Sequence, residues 1–404
     1  MKMLNFLIII KIIYSIIFIE WVHCQCRINI QTDIAKNDPI FMTNKYQLMI
    51  PNGNQLTWKK NEITYLGCSE QRTNTFQTPK LIESQTTTSI KCVSDALFEI
   101  NGQIFNSTDF ECKIGITGDL NQTNKACAQG KGAIFEIGHD FRKSFNVFIV
   151  LIEVCYNMNT ASVIYTQNVI NGNASSVIES NRPTFKVNGV PSSVSPANSY
   201  MQTNQKLRFT TLLDNSSLAD FYLNRTSYLA RGHLSPDADM IYRSSQFSTY
   251  FYLNVAPQWQ NVNAGNWYFI ESAVRNKATA LNEDLLIFNC VYDILKLPHN
   301  SGTLIPITLE DAGIEVPNWF IKIVLSNKLK ASIAFVTSNN PFMERFTKSD
   351  LLCNDICQPT KWNTVLKQSA DITKGYTICC NVNELRGKIN FIGSEWITPN
   401  ILNY

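Results

Sequence analysis

The sequence predicts an α+β chain in two units, a disulfide-stapled β-rich N-terminal domain followed by a larger domain of mixed strands and helices. Three observations carry this. Short apolar or alternating runs separated by Asn, Gly, Thr and Asp clusters fill the region before Tyr165, cysteines are spread through both halves, and strand and helix signals mix from about Phe185 onward. The 404 residues allow roughly two to three domains. A composition of 45% hydrophobic and 17% charged residues is that of a globular chain able to bury a sizeable core. The net charge of +3 and a pI near 8.2 permit a polyanionic partner without demanding one.

Residues 1–24, MKMLNFLIIIKIIYSIIFIEWVHC, have the layout of a secretory signal peptide. Lys2 precedes an apolar run to Ile19, and Val22 and Cys24 stand at the −3 and −1 positions of a cleavage site. Lys11 interrupts the run, which argues against a membrane anchor. The expectation is a secreted protein with no membrane attachment after cleavage. Twelve cysteines are present, and Cys24 leaves with the signal peptide. The remaining eleven read as up to five disulfides and one odd thiol, free or paired between chains. Sequons at Asn106, Asn121, Asn173, Asn215 and Asn224 suit an exposed glycoprotein.

Residues 25–165 form the expected β-rich unit. YQLMI, EITYLGC, ALFEI, AIFEIGH and FNVFIVLIEVCYN read as its strands, with Cys68, Cys92, Cys112, Cys127 and Cys155, and Cys26 as a sixth cysteine. His139 reads as a surface or structural histidine. Residues 166–404 form the second unit and open with a linker rich in Asn, Ser and Pro. CNDIC (Cys353, Cys357) and ICC (Cys379, Cys380) have no histidine nearby, so disulfides are expected there rather than a metal cluster.

The chemistry concentrates in RTSYLARGHLSPDADMIYRSSQFSTYFYLNVAPQWQNVNAGNWYFIESAVR, residues 225–275. Arg231 and His233 alternate across Gly232, so in a strand they share a side, and the glycine leaves room for a ligand's approach. Asn263 suits a helix N-terminus. Trp267 and Glu271 follow it at steps of four on one face, with Arg275 a turn further. A strand histidine, a helix asparagine and a helix glutamate brought to one cleft would suit phosphodiester hydrolysis. Such a site needs an imidazole base, oxygen ligands for a hard cation, and guanidinium groups for phosphate charge. Asp237 and Asp239 read as solvated loop carboxylates, and His299 as a turn residue.

RGHLSP followed by NVAPQ and NAGNWYFIE resembles the DNA/RNA non-specific endonucleases, the ββα-metal nucleases that include endonuclease G. LARGHL with NVAPQWQ and NAGNW is most similar to the secreted arthropod double-stranded-RNA nucleases. The strong likeness spans about 50 residues, and the ordered combination of motifs is specific where RGH alone is not. It implies a ββα-metal nuclease domain in the C-terminal unit. It also implies His233 as general base, Asn263 as direct Mg²⁺ ligand with Mn²⁺ able to substitute, and Glu271 as holder of metal-bound water. Arg231 and Arg275 would contact the phosphate or leaving group, and Asn254 would orient the site or bind substrate. The family's usual motif is DRGH, and Ala230 stands here in the Asp position. The implied activity is secreted, Mg²⁺-dependent endonucleolytic cleavage of nucleic acid without sequence specificity, with double-stranded RNA preferred and 5′-phosphates left. The alternatives are a nuclease acting mainly on DNA, or a secreted nucleic-acid-binding scavenger that has lost catalysis. Oligomeric state is not legible in the sequence.

Overall fold

The computed structural model describes residues 25–69, 73–179 and 181–404. The signal-peptide reading of residues 1–24 lies outside them. No helix among the described residues is long and apolar enough to cross a membrane.

The N-terminal unit is a small antiparallel sheet of five strands, ordered Ile40–Met42, Ile63–Gly67, Thr87–Ser94, Leu97–Ile100 and Gln103–Asn106. A ribbon of Gln25–Asn29 with Gln55–Lys59 lies alongside. Its core is aromatic: Phe41, Trp58, Phe76, Phe98 and Phe110 are all buried, and Trp58 meets Phe98 edge-on at 5.0 Å. Cys26–Cys92 and Cys68–Cys112 close loops of 66 and 44 residues across it. Restricting the unfolded chain this way contributes about 4 kcal/mol per bridge.

The second unit is built on a nine-stranded sheet. Its order is Asp119–Cys127, Gly132–Phe141, Val147–Asn157, Ser162–Ile170, Leu285–Ile294, Pro317–Ser326, Ala331–Ser338 and Thr377–Cys380. These pair antiparallel, and the short Asn400–Ile401 strand joins Ala331–Ser338 in parallel. Successive side chains point to opposite faces, and both faces are covered. Phe135, Val154, Phe320 and Phe335 pack on one side against Trp267, Ile270 and Val274 of a long helix. Ile134, Tyr165, Ile321 and Val336 pack on the other against Val382, Leu385 and Trp396 of the C-terminal segment.

This architecture corrects the expected boundary after residue 165. That position falls inside a strand, and Tyr165 pairs with Cys290 while the same strand pairs with Val147–Asn157. The four strands between Asp119 and Ile170 therefore belong to the large sheet. The run FNVFIVLIEVCYN does not itself reveal this, since Val150 stays exposed and Glu153 half-buried; only its ladders with Gly132–Phe141 and Ser162–Ile170 assign it to the large sheet.

All five disulfides lie within the expected groups. Cys127–Cys155 passes over Gly132, where a Cβ would stand 2.9 Å from the Cys155 Sγ. Cys353–Cys380 and Cys357–Cys379 tie the 353–357 segment to the last antiparallel strand. Asp355 groups with Cys357 and Cys379 within 4.8 Å, but both sulfurs are spent in the bridge and cannot bind metal. Among the described residues the thiol outside a disulfide is Cys290, which is buried.

His139 lies fully buried in the Gly132–Phe141 strand, with neither ring nitrogen hydrogen-bonded. Burial, aided by the Lys186 ammonium, lowers it to about 3. Its value in the unfolded chain is near 6.5. The neutral ring thus favours the fold fully above about pH 6.5, and that contribution is lost as pH falls toward its folded value. His139→Leu removes both the proton uptake and two unsatisfied polar atoms. Its urea midpoint should match or exceed wild type at pH 7 and fall less steeply between about pH 6 and about pH 4. Parallel pH dependence in the two proteins would contradict this account.

Candidate active site

The site begins with a hairpin. Leu229–His233 pairs antiparallel with Val255–Trp259, placing Arg231 opposite Pro257, Gly232 opposite Ala256 and His233 opposite Val255. Gly232 is required by the partner strand, since a Cβ there would lie 2.5 Å from Gln258 Oε1 and 2.6 Å from Gln258 Cβ. The expectation that it makes room for a ligand gives way to this packing reason. Arg231 and His233 do share a side. The His233 ring centroid lies 5.2 Å from that of Phe185, and the Arg231 Cζ lies 5.5 Å from the same ring. Arg231 Nε donates to the Tyr252 hydroxyl at 3.1 Å. Its two terminal nitrogens have no protein acceptor among the described residues.

His233 is half-buried. Its Nε2 is buried without a hydrogen-bond partner, so Nδ1 is the ring nitrogen open to solvent. Burial lowers the imidazole to about 4; Asp237 opposes that shift and Arg182 adds to it.

The loop after the histidine is held by Asn254. This residue is fully buried and accepts from the Ser235 backbone N–H at 3.0 Å. Its amide donates to the carbonyls of Ser235 and Thr249 at 2.8 and 2.9 Å. Both polar atoms of the Asn254 side chain are thus engaged by backbone groups, which departs from the substrate-binding contact expected of it. The loop carboxylates also differ from expectation. Asp237 accepts the Tyr250 hydroxyl at 2.7 Å. Asp239 is buried and ion-paired with Arg275 at 3.0 Å, and Asn168 donates to it at 3.3 Å. A sequence reading treats an Asp in a Pro-containing loop as solvated by default, and only the packing of that loop against the sheet reverses this.

The second strand of the hairpin runs directly into the helix. Helical structure starts at Gln260, passes through a wide π turn over Asn263–Trp267 and continues as Tyr268–Leu281. Asn263 is thus inside the helical run and not its cap. Gly265 leaves helical dihedrals at φ −97° and ψ −125°, which interrupts the expected steps of four. Trp267 turns into the core, 5.5 Å from Phe320, while Asn263 and Glu271 stay half-buried. The turn is held from outside. Asn261 donates to the Thr373 carbonyl, and Asn266 donates to those of Gln368 and Gly375 at 2.8 and 2.7 Å. A Cβ on Gly265 would meet the Lys374 carbonyl at 2.7 Å. Between these two clamped asparagines, the Asn263 amide has no protein partner among the described residues.

Glu271 is raised to about 7, chiefly by burial; Lys322 and Arg275 pull it down while Asp239 and Asp237 push it up. Asp237 acts on His233 and Glu271 alike, so the strand histidine and the helix glutamate share one neighbourhood. Arg275 pairs with Asp239 rather than Glu271, and its second terminal nitrogen donates to Ser272 Oγ at 3.3 Å. Reasoning from sequence missed Lys322, Phe185 and Tyr250. Lys322 lies in an apolar strand that reads as pure core, and no periodicity assigns a lone lysine there to a site 51 residues upstream.

Asn254→Ala should destabilise the protein by about 2–4 kcal/mol, since it strands three buried backbone groups. Turnover should fall more than substrate affinity, because the loop behind His233 loses its anchor. Urea unfolding with steady-state kinetics checks this, and normal stability with a raised KM would return Asn254 to the substrate surface.

Residues 132–385 match the DNA/RNA non-specific endonuclease family. A salivary endonuclease of Lutzomyia longipalpis is 30% identical over 289 residues, covering 70% of this chain and 68% of its own length. The salivary protein Tsal1 of Glossina morsitans morsitans is 25% identical across 98% of this chain and 99% of its own. A salivary endonuclease of Culex quinquefasciatus is 25% identical over 86% and 84%. The matched span opens at Gly132, inside the large sheet, and contains the hairpin, the π turn and the long helix; the chain belongs to the DNA/RNA non-specific endonuclease family.

Proposed function

We propose that the protein is a secreted, Mg²⁺-dependent endonuclease that hydrolyses nucleic acid without sequence specificity, prefers double-stranded RNA and leaves 5′-phosphates. The observation that carries this reading is the strand–strand–helix arrangement, which brings His233 and Glu271 under the influence of the same carboxylate, Asp237.

Each residue has a chemical task in that reading. Nδ1 of His233 takes the proton of the attacking water, and with a value near 4 it is unprotonated at neutral pH. The terminal nitrogens of Arg231 meet phosphate oxygens. Arg275 acts through Asp239, fixing the loop that follows the base. The donor set fits a hard divalent cation: Asn263 offers an amide oxygen without a protein partner, and burial of Glu271 leaves a carboxylate that a cation would favour. Bound there, Mg²⁺, or Mn²⁺ in its place, would neutralise phosphate charge and stabilise the departing 3′ oxygen.

Salivary relatives and five disulfides support secretion, since such bridges persist in oxidising compartments. The preference for double-stranded RNA rests on the likeness of LARGHL, NVAPQWQ and NAGNW to the arthropod enzymes. Sequence independence follows where contacts are to phosphates rather than base edges.

The secreted protein and its His233→Ala variant are incubated with long double-stranded RNA and DNA, in Mg²⁺ and in EDTA. Metal-dependent shortening, reduced about 10²–10⁴-fold in the variant, is expected, with the faster substrate identified by the rate ratio. Intact nucleic acid that shifts in a binding gel would replace the enzyme with a scavenger. Asn263→Ala should raise the Mg²⁺ concentration needed for half-maximal rate, and an unchanged requirement would remove Asn263 from the metal site.

A further inference from the structure

We propose that Asn224 carries an N-linked glycan whose first sugars cover the exposed ring of Phe221 and the apolar groove beside it. The inference rests on the secretion reading above and is independent of catalysis. The fold sorts the five sequons by what their amide nitrogens do. The Asn121 nitrogen donates to Glu136 at 2.7 Å within a strand of the large sheet, and that of Asn215 donates to Asn300 at 3.1 Å. A sugar there replaces one of the two amide protons and crowds a contact that the folded chain uses. Asn224 differs. Its amide oxygen accepts from the Thr226 hydroxyl, the Thr226 N–H and the Ser227 N–H, each at 3.0 Å. The residue is exposed, and its amide nitrogen has no protein partner among the described residues. The loop closes without that nitrogen, since the Asn224 N–H donates to the Ser227 carbonyl and the Ser227 hydroxyl to the Tyr222 carbonyl, both at 2.8 Å. Asn106 and Asn173 also have unpartnered amide nitrogens among the described residues, but no exposed aromatic ring stands within four residues of either.

Phe221 lies in the last turn of the Ser216–Tyr222 helix and is 63% exposed. Its ring meets Tyr222 at 5.1 Å and Phe342 at 5.8 Å. Those two residues line a groove of about 410 Å³ with Met343 and with Leu304, itself 63% exposed. Apolar surface left in water costs free energy in proportion to its area, and a contiguous exposed patch of it marks a place that something covers. Three residues of chain span at most about 11 Å, so the sugars nearest Asn224 are within reach of the ring. The C–H face of a pyranose suits that ring, because its weakly positive hydrogens meet the negative π cloud. The donor is a lipid-linked oligosaccharyl pyrophosphate. Asn224 Nδ2 bonds to C1 of its first N-acetylglucosamine as the C1–O bond breaks. The pyrophosphate leaves with the bonding pair, and one Nδ2 proton passes to the transferase. Because transfer precedes complete folding, the fold selects among sequons by which sugars it can close around.

The test expresses the full chain, from Met1, in a eukaryotic secretory host. Digestion with peptide-N-glycosidase in ¹⁸O-water turns each glycosylated asparagine into labelled aspartate, which peptide mass spectrometry locates. In protein recovered from the medium, Asn224 should be labelled and Asn121 and Asn215 unlabelled. Thr226→Ala keeps the two backbone bonds to Asn224 but removes the acceptor hydroxyl, so the label at Asn224 should be lost. In the otherwise native chain this loss should lower the melting temperature by about 2 °C and raise the binding of an apolar fluorescent dye. In a Phe221→Ser background it should do neither. Thr226→Ser preserves the sequon and should leave label and melting temperature unchanged. Unlabelled Asn224 in the secreted protein overturns the glycan, and label at Asn121 or Asn215 overturns the sorting of sequons. Equal effects of Thr226→Ala with and without Phe221 overturn the cover. A chain retained in the cytosol with every sequon bare removes the secretion reading together with the glycan, whereas bare Asn224 on secreted protein removes the glycan alone.

Discussion

A row of buried polar side chains across the middle of the large sheet holds the hairpin and the helix in one register. Thr166, Asn289 and Lys322 are direct cross-strand partners on three adjacent strands, and none is exposed. Ser235 docks onto this row through Thr166 at 2.8 Å and Asn168 at 2.9 Å, and Lys322 donates to Asn289. Asn168 continues to Asp239, and Asp239 to Arg275. Buried polar groups left unpaired are costly, so few placements of the hairpin and helix satisfy all of them together. Ser235 follows the histidine by two residues, and Arg275 follows Glu271 by about one helical turn. The row thereby sets His233 and Glu271 relative to each other, although neither belongs to it.

A second constraint comes from the C-terminus. The paired bridges at Cys353–Cys380 and Cys357–Cys379 fix the segment leading to the last antiparallel strand. The loop just before that strand supplies the carbonyls of Gln368, Thr373 and Gly375 that hold the π turn open. A wide turn is an unfavourable variant of the α-helix and recurs where function requires it. Here its upkeep comes from residues more than 100 positions away in sequence, and the effect is to leave Asn263 free between two clamped asparagines.

Aromatic groups gather around the strand arginine and histidine. Tyr200, Tyr252 and Phe185 surround the Arg231 guanidinium at 5.3, 5.7 and 5.5 Å. Such contacts keep a cation in place without neutralising it, unlike an acidic partner. Ala230 occupies the position where the family pattern has an aspartate, and Asp237 of the following loop accepts the Tyr250 hydroxyl at 2.7 Å.

Much of this was legible in the chain. RGH, NVAPQ and NAGNWYFIE are local, and local order dictates which residues lie on the paired strands and which on the helix that follows. Cysteine spacing likewise separated bridges from metal sites. What the sequence by itself determined was the local order: a histidine, an asparagine, a glutamate and two arginines on a strand–strand–helix unit, in a chain whose cysteines pair as disulfides. Only the tertiary structure decided which polar groups stay without a protein partner and which are bonded into the core. Asn254 and Asp239 are buried because residues more than 60 positions away or on adjoining loops complete their hydrogen bonds, and Phe185 reaches His233 from a segment that reads as linker. Burial of a polar group depends on partners brought together by folding, and such partners leave no mark on the sequence around it.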